Sequence, residues 1–180
     1  MGLISIVDTF DRKVSKSLES FFNKSWLITY VRLVSFSASG IFCFPAYGAI
    51  LIIANQHAPM VSALIVGECI QLPIIIVLRN LIKRPRPNAV EKDTYYSEWN
   101  KYSFPSLHTS RAFMIGLTAS SFSSWSLPFL LTAALVIAVS RIVLQKHYLS
   151  DIICGAIIGI FSSEVALSFF PHGFSSFILL

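Results

Sequence analysis

From Leu33 to Gly67 the chain carries no Asp, Glu, Lys or Arg, and a second such run extends over 29 residues from Ala112 to Ser140. A helix of about 20 apolar residues crosses the hydrocarbon of a bilayer, and it can do so because all its backbone polar groups are satisfied internally. These runs therefore predict an all-α, integral membrane helical bundle. The polar cluster Asn55-Gln56-His57-Ala58-Pro59 divides the first run into spans at 33–54 and 60–82. In the second run a single helix would separate Arg111 from Arg141 by about 45 Å at 1.5 Å per residue. A hairpin turning at Ser123 to Pro128, where serines, Trp125 and Pro128 suit an interfacial turn, returns both arginines to one membrane face. A last span at 151–170 brings the expected number to about five. Ahead of them, residues 4–23 place Ile4, Val7, Phe10, Val14, Leu18, Phe21 and Phe22 at helical spacing, with charged residues mostly between, which predicts an interfacial amphipathic helix over residues 1–24.

Composition agrees with a single membrane-embedded domain over 1–180: 54% of residues are hydrophobic and only 13% charged. With so much apolar sequence, the net charge of +5 points to a phosphorylated lipid or headgroup as the anionic partner. Nucleic acid is disfavoured, since no short stretch is rich in Lys and Arg. Cys43, Cys69 and Cys154 lie inside apolar segments without metal-ligand spacing and read as small core hydrophobes. The start MGLISIVDTFDRK lacks the pattern of a removable signal peptide. Oligomeric state is not encoded in any feature of the sequence.

Chemistry collects where the spans end. On the hairpin topology, RNLIKRPRP (Arg79 to Pro87), FPSLHTSR (Phe104 to Arg111) and SRIVLQKHYLSD (Ser140 to Asp151) share one face. Each guanidinium can give a phosphate two charge-assisted hydrogen bonds, so a cluster of arginines suits that anion. Ser106 stands where a helix would begin, with its hydroxyl and the following N–H groups available to an anion. His108 and His147 can divide acid and base roles near neutral pH. Asp151, four residues after His147, would neighbour it on a helix and could fix its tautomer. Gly155 and Gly159, in line with Asp151, would let a neighbouring helix come close.

At these residues the chain resembles the type 2 phosphatidic acid phosphatase superfamily. The family pattern S-R-x5-H-x3-D is matched by Ser140, Arg141, His147 and Asp151. P-S-G-H is matched by Pro105, Ser106 and His108, with Leu107 at the glycine, and K-x6-R-P by Arg86 and Pro87, with Arg79 at the lysine. The matches run in order over residues 79–151. The resemblance implies a membrane lipid phosphatase that needs no cofactor or metal. In it His147 attacks phosphorus to give a phosphohistidine, Asp151 orients His147, and His108 protonates the leaving oxygen and later activates water. Arg79, Arg86, Ser106 and Arg141 would hold the phosphate, with Lys83 and Arg111 as possible additions. A helical Leu107 would still present its N–H to the anion.

Plainer readings stand beside these. Lys83, Arg84, Lys92 and Lys101 read as solvated or headgroup-contacting loop charges. Arg111 belongs to the phosphate site or snorkels, and His57 and His172 are structural. Glu68 and Glu164, inside spans, line a groove or pair with polar groups between helices. A lipid headgroup transferase would use the same residues as a phosphatase, and a lipid-phosphate binder or transporter would use the same basic cluster. Lys and Arg favour the motif-bearing side, which the positive-inside rule places in the cytoplasm. Members of the resembling family usually face outward, and several of these arginines are held by chemistry rather than topology. The expectation is a bacterial cytoplasmic membrane protein with its site facing outward.

Overall fold

The structure is a computed structural model that describes residues 3–22, 25–53, 57–88, 101–122 and 127–170. Its described residues form seven helices and no strand: α1 (Leu3–Phe21), α2 (Ser25–Phe36), α3 (Gly40–Ile53), α4 (Ala58–Ile82), α5 (Leu107–Phe122), α6 (Leu127–Val143) and α7 (Leu149–Ser168). By length and composition α4 and α7 can cross a membrane, and α2 with α3 forms a third candidate, bent by 50° at the break between them. The shorter α5 and α6 complete five helical columns where the sequence placed five spans.

The first column differs from expectation. It begins at Ser25 rather than 33 and is broken at Ser37 to Ser39, where the Ser37 hydroxyl donates to the Val34 carbonyl at 2.7 Å and offers the backbone a local alternative to the helix. The α5–α6 reversal falls between Phe122 and Leu127, and its turn, 123–126, lies outside the described residues, as do Lys92 and His172. α4 starts with Pro59 in its first turn and ends at Lys83, whose left-handed backbone (φ 49°) directs its N–H to the Arg79 carbonyl. The chain then turns at Pro85 instead of extending the helix.

α5 lies at the centre, packed on α4, α6 and α7. Its contact with α7 is close because of two glycines. A Cβ at Gly155 would come within 2.5 Å of the Ser106 carbonyl oxygen, and one at Gly159 would collide with that of Ser110. The small-residue pair read in the sequence thus seats α5, placing His108 beside the start of α7. Apolar packing comes from Cys43, Tyr47, Val61, Leu64 and Met114 in one cluster and Ala138, Ile142 and Ile152 in another. Cys43 fits the reading of the cysteines as core, but Cys69 is exposed on the outer face of α4.

Polar pairs tie the same helices together. The Ser110 hydroxyl donates to Gln71 at 2.5 Å, and Thr118 and Ser163 share a hydrogen bond of 3.0 Å. α1 departs from a simple interfacial helix in what it buries: Asp11 and Ser15 face the protein, while Ile6, Val7 and Phe10 face outward with Arg12, Lys13 and Lys16.

Candidate active site

The site is assembled at one end of the bundle from the C-terminal ends of α4 and α6, the N-terminal ends of α5 and α7, and the segments joining them. Two backbone bonds fasten the loop after α4: Ser103 N–H donates to the Arg84 carbonyl at 2.8 Å, and Asn88 N–H to that of Gln145 at 3.2 Å. Arg79 reaches across from α4 and donates to the Pro105 carbonyl at 3.2 Å.

His147 lies in the segment between α6 and α7 and is fully buried. Its Nδ1 is 2.6 Å from the carbonyl oxygen of Ser103. A carbonyl can only accept, so Nδ1 carries the proton, and in the neutral ring the lone pair is on Nε2. Burial and then the charges of Arg141, Arg86 and Arg79 hold this imidazole well below its usual range; the Ser103 bond pulls the other way without offsetting them. The ring is consequently neutral and nucleophilic at physiological pH.

The sequence reading assigned tautomer control to Asp151. Asp151 is near, with Oδ2 3.7 Å from His147 Nδ1, beyond hydrogen-bond range. Its carboxylate accepts instead from the Tyr148 N–H at 2.8 Å and from Arg84 at 2.8 Å. The difference arises because His147 precedes the helix rather than occupying its first turn, so i,i+4 spacing does not stack the two side chains. Asp151 orders the turn that carries His147, and Ser103 fixes the ring.

His108, in the first turn of α5, lies within electrostatic reach of Arg141, His147, Arg111 and Arg79. Arg79, Arg86 and Arg141 likewise act on one another. Arg141 is buried and donates to the Ser35 hydroxyl, while its Nε has no hydrogen-bond partner among the described residues. Ser106 is buried at the start of α5 and accepts from the Thr109 hydroxyl at 3.0 Å, leaving its own proton to donate. Leu107 opens the helix, and the non-glycine residues with positive φ among those described are Lys83 and Gln145. The family glycine's position therefore needs no special backbone here. Phosphate would meet guanidinium forks, a hydroxyl and a helix N-terminus together.

The expectations for Arg111 and Arg84 fail in informative ways. Arg111 neither joins the cradle nor snorkels. It is buried against Glu68, donating from Nε and, at 2.9 Å, from Nη2, with Nη1 on the Ala38 carbonyl at 3.1 Å. Glu68 is thereby assigned its partner, and Glu164 is exposed on α7. Lys83 is exposed at the end of α4. Arg84, by contrast, is no solvated loop charge: it donates to Asp8 at 2.6 Å, Asp11 at 2.7 Å, Asp151 at 2.8 Å and the Ser150 hydroxyl at 2.6 Å, and stacks 4.2 Å over the Tyr148 ring. Burial alone would lower its pKa, but the carboxylates outweigh that and raise it. Asp11 also accepts from the Ser150 N–H at 3.1 Å, so α1 is pinned to the first turn of α7. Only the i,i+3 spacing of Asp8 and Asp11 on one helix edge hinted at this corner. Among the described residues, no group of three or more His, Cys, Asp and Glu is placed to hold a metal ion.

The comparisons with known proteins follow the same outline. A family model described as the PAP2 superfamily matches residues 56–173. The fold is similar to the crystal structure of Aquifex aeolicus LpxE, with TM-score 0.74 at 22% identity over 88% of this chain and 95% of that one. It is also similar to the structure of a transmembrane PAP2 type phosphatidylglycerolphosphate phosphatase from Bacillus subtilis, with TM-score 0.71 at 19% identity over 96% of this chain and 89% of that one.

Proposed function

The chain belongs to the PAP2 superfamily, and on that premise we propose that it is a membrane lipid phosphatase removing a terminal phosphate, monoester or diphosphate, through a phosphohistidine. The observation that carries this reading is the Nδ1 hydrogen of His147 committed to the Ser103 carbonyl, which leaves Nε2 as the free lone pair beside Arg79, Arg86 and Arg141. Nε2 attacks phosphorus, and the bond to the lipid oxygen breaks with its electron pair on that oxygen. His108 supplies the proton. In the second half His108 takes a proton from water, which attacks the phosphohistidine and returns the pair to Nε2. The arginines and Ser106 hold the equatorial oxygens, where charge accumulates. Asp151, Arg84 and Ser103 position the nucleophile. The scheme draws on the protein's own groups and calls on no metal.

Purified protein supplied with a panel of lipid phosphates tests the proposal. His147→Ala should lower phosphate release by about 10³-fold or more, and wild type quenched at alkaline pH should carry phosphate on His147. Release of phosphate by His147→Ala at the wild-type rate would remove the nucleophile assignment. Headgroup exchange in place of free phosphate would make the chain a transferase, and lipid binding without turnover a binder or transporter. We place the site on the outer side of a bacterial cytoplasmic membrane. The exposed Lys101, replaced by cysteine in a cysteine-free background, should then react with an impermeant thiol reagent in whole cells; protection until lysis would reverse the orientation.

A further inference from the structure

No motif falls in the first column, α2 with α3, yet one of its side chains is buried against the phosphate cluster. Ser35, in the last turn of α2, is 2% exposed and accepts a hydrogen bond from Nη1 of Arg141 on α6. It lies outside every motif read in the sequence and outside the matched residues 56–173. The two side chains meet in the wall of a cavity of about 410 Å³ that Arg32, His108 and Lys146 also line.

What Ser35 does to Arg141 follows from which parts of that arginine are fixed by other groups. Its main chain is held, because the Arg141 carbonyl accepts from the N–H groups of Lys146 at 3.1 Å and His147 at 3.3 Å, which ties it to the proposed nucleophile. The guanidinium, at the end of a flexible side chain, donates to Ser35 alone among the described residues, so that one bond selects its orientation. With Nη1 engaged, Nε and Nη2 form the open edge. Nε is buried without a hydrogen-bond partner among the described residues, and this edge can give a phosphate two parallel charge-assisted bonds. The chemistry of the acceptor matters too. A carboxylate would neutralise the guanidinium, as Asp8, Asp11 and Asp151 do for Arg84, whereas a hydroxyl holds it and leaves its charge for an anion.

Ser35 is itself anchored. In the break that follows α2, the Ala38 carbonyl accepts from Nη1 of Arg111 at 3.1 Å, and Arg111 is buried against Glu68. The ion pair between α4 and α5 thus fixes the chain just beyond Ser35.

We propose that Ser35 is a positioning residue for the reaction: it orients Arg141 so that Nε and Nη2 face the phosphate. The first column thereby enters a site whose motifs all lie on the other four. The inference rests on the phosphatase reading for the assignment of Arg141 to phosphate, but the positioning can be measured without turnover.

The test uses the full chain in detergent, with inorganic orthophosphate as the probe in equilibrium binding and a lipid phosphate in a parallel assay of kcat/KM. Ser35→Ala should reduce both by about tenfold, the size of one hydrogen bond to a charged group. Ser35→Thr, which keeps the hydroxyl, should recover most of the loss. In an Arg141→Gln background there is no guanidinium to orient, so adding Ser35→Ala should change either quantity by about twofold or less. Wild-type binding by Ser35→Ala, or a tenfold loss that persists in the Arg141→Gln background, would overturn the proposal. An effect of Ser35→Ala on orthophosphate binding that depends on Arg141, in a protein that hydrolyses no lipid phosphate, would instead sink the phosphatase reading and leave the positioning role standing.

Discussion

Two arginines within the same end of the bundle have opposite surroundings. Arg84 donates to three carboxylates and a hydroxyl and lies on a tyrosine ring. Arg141, comparably withdrawn from solvent, donates from its guanidinium to Ser35 alone among the described residues and leaves Nε without a partner. Bringing a cation out of water is costly unless it is paired. Arg84 has had that cost offset inside the fold and serves as a joint between α1, the motif loop and α7. Arg141 has not, and its exposure to Arg79 and Arg86 adds like-charge repulsion. A position of that kind is stabilised by an arriving anion. The contrast separates an arginine whose charge is met inside the fold from one that the proposed mechanism assigns to substrate, a distinction that residue type and location alone would miss.

The largest expected effect on activity among the arginines tests Arg141. Arg141→Gln should lower kcat/KM by about 10²–10³-fold, as loss of one transition-state donor does, while the melting temperature stays level or rises because repulsion is relieved. A fall in stability matching the fall in activity would mean that Arg141 is structural after all. Glu68→Gln should strip a buried arginine of its counter-charge and cost about 3–5 kcal/mol in detergent unfolding. Replacing Arg111 as well, by Met, should recover most of it; no recovery would show that the two act independently.

Asp11→Asn addresses the clasped corner. Arg84 keeps Asp8 and Asp151, so the expected loss is smaller, about 1.5–3 kcal/mol for a hydrogen bond between charged groups, with kcat falling more than KM rises because the Asp151 turn loosens. If KM alone changed, α1 would touch substrate rather than support the turn. The smallest effect is on pH dependence. On the proposed mechanism only neutral His147 attacks, so activity should disappear as pH falls through its pKa, and burial with three neighbouring arginines should move that loss to low pH. Arg86→Gln removes one of those charges, raises the pKa, and should shift the acid limb of kcat/KM upward by about one pH unit. An unchanged acid limb would place Arg86 out of reach of the imidazole.

Much of this was legible without coordinates because of how the motifs are spaced. The charge-free runs required helices, and Ser140, Arg141, His147 and Asp151 could be read as one unit because they are close in sequence. Gly155 and Gly159 marked a close helix approach, although their partner, α5, was not nameable. The Arg84 assignment failed because its carboxylates at Asp8 and Asp11 are more than 70 positions away, and a loop arginine beside Lys83 looks like any other surface charge. The role of Ser103 was hidden for a different reason: its contribution is a backbone carbonyl, which any residue would supply.

By itself, then, the sequence determined that this chain is a helical membrane bundle with histidines, an aspartate and a set of arginines gathered at the ends of its spans. Periodicity and the cost of charge in hydrocarbon act locally, and so can be read locally. Tertiary structure alone decided which arginine meets a carboxylate and which meets only a hydroxyl, which group fixes the tautomer of His147, and that Arg32 and Lys146 face a common cavity. Those outcomes depend on ångström-scale distances between residues remote in the chain, and such distances exist only once the helices have packed.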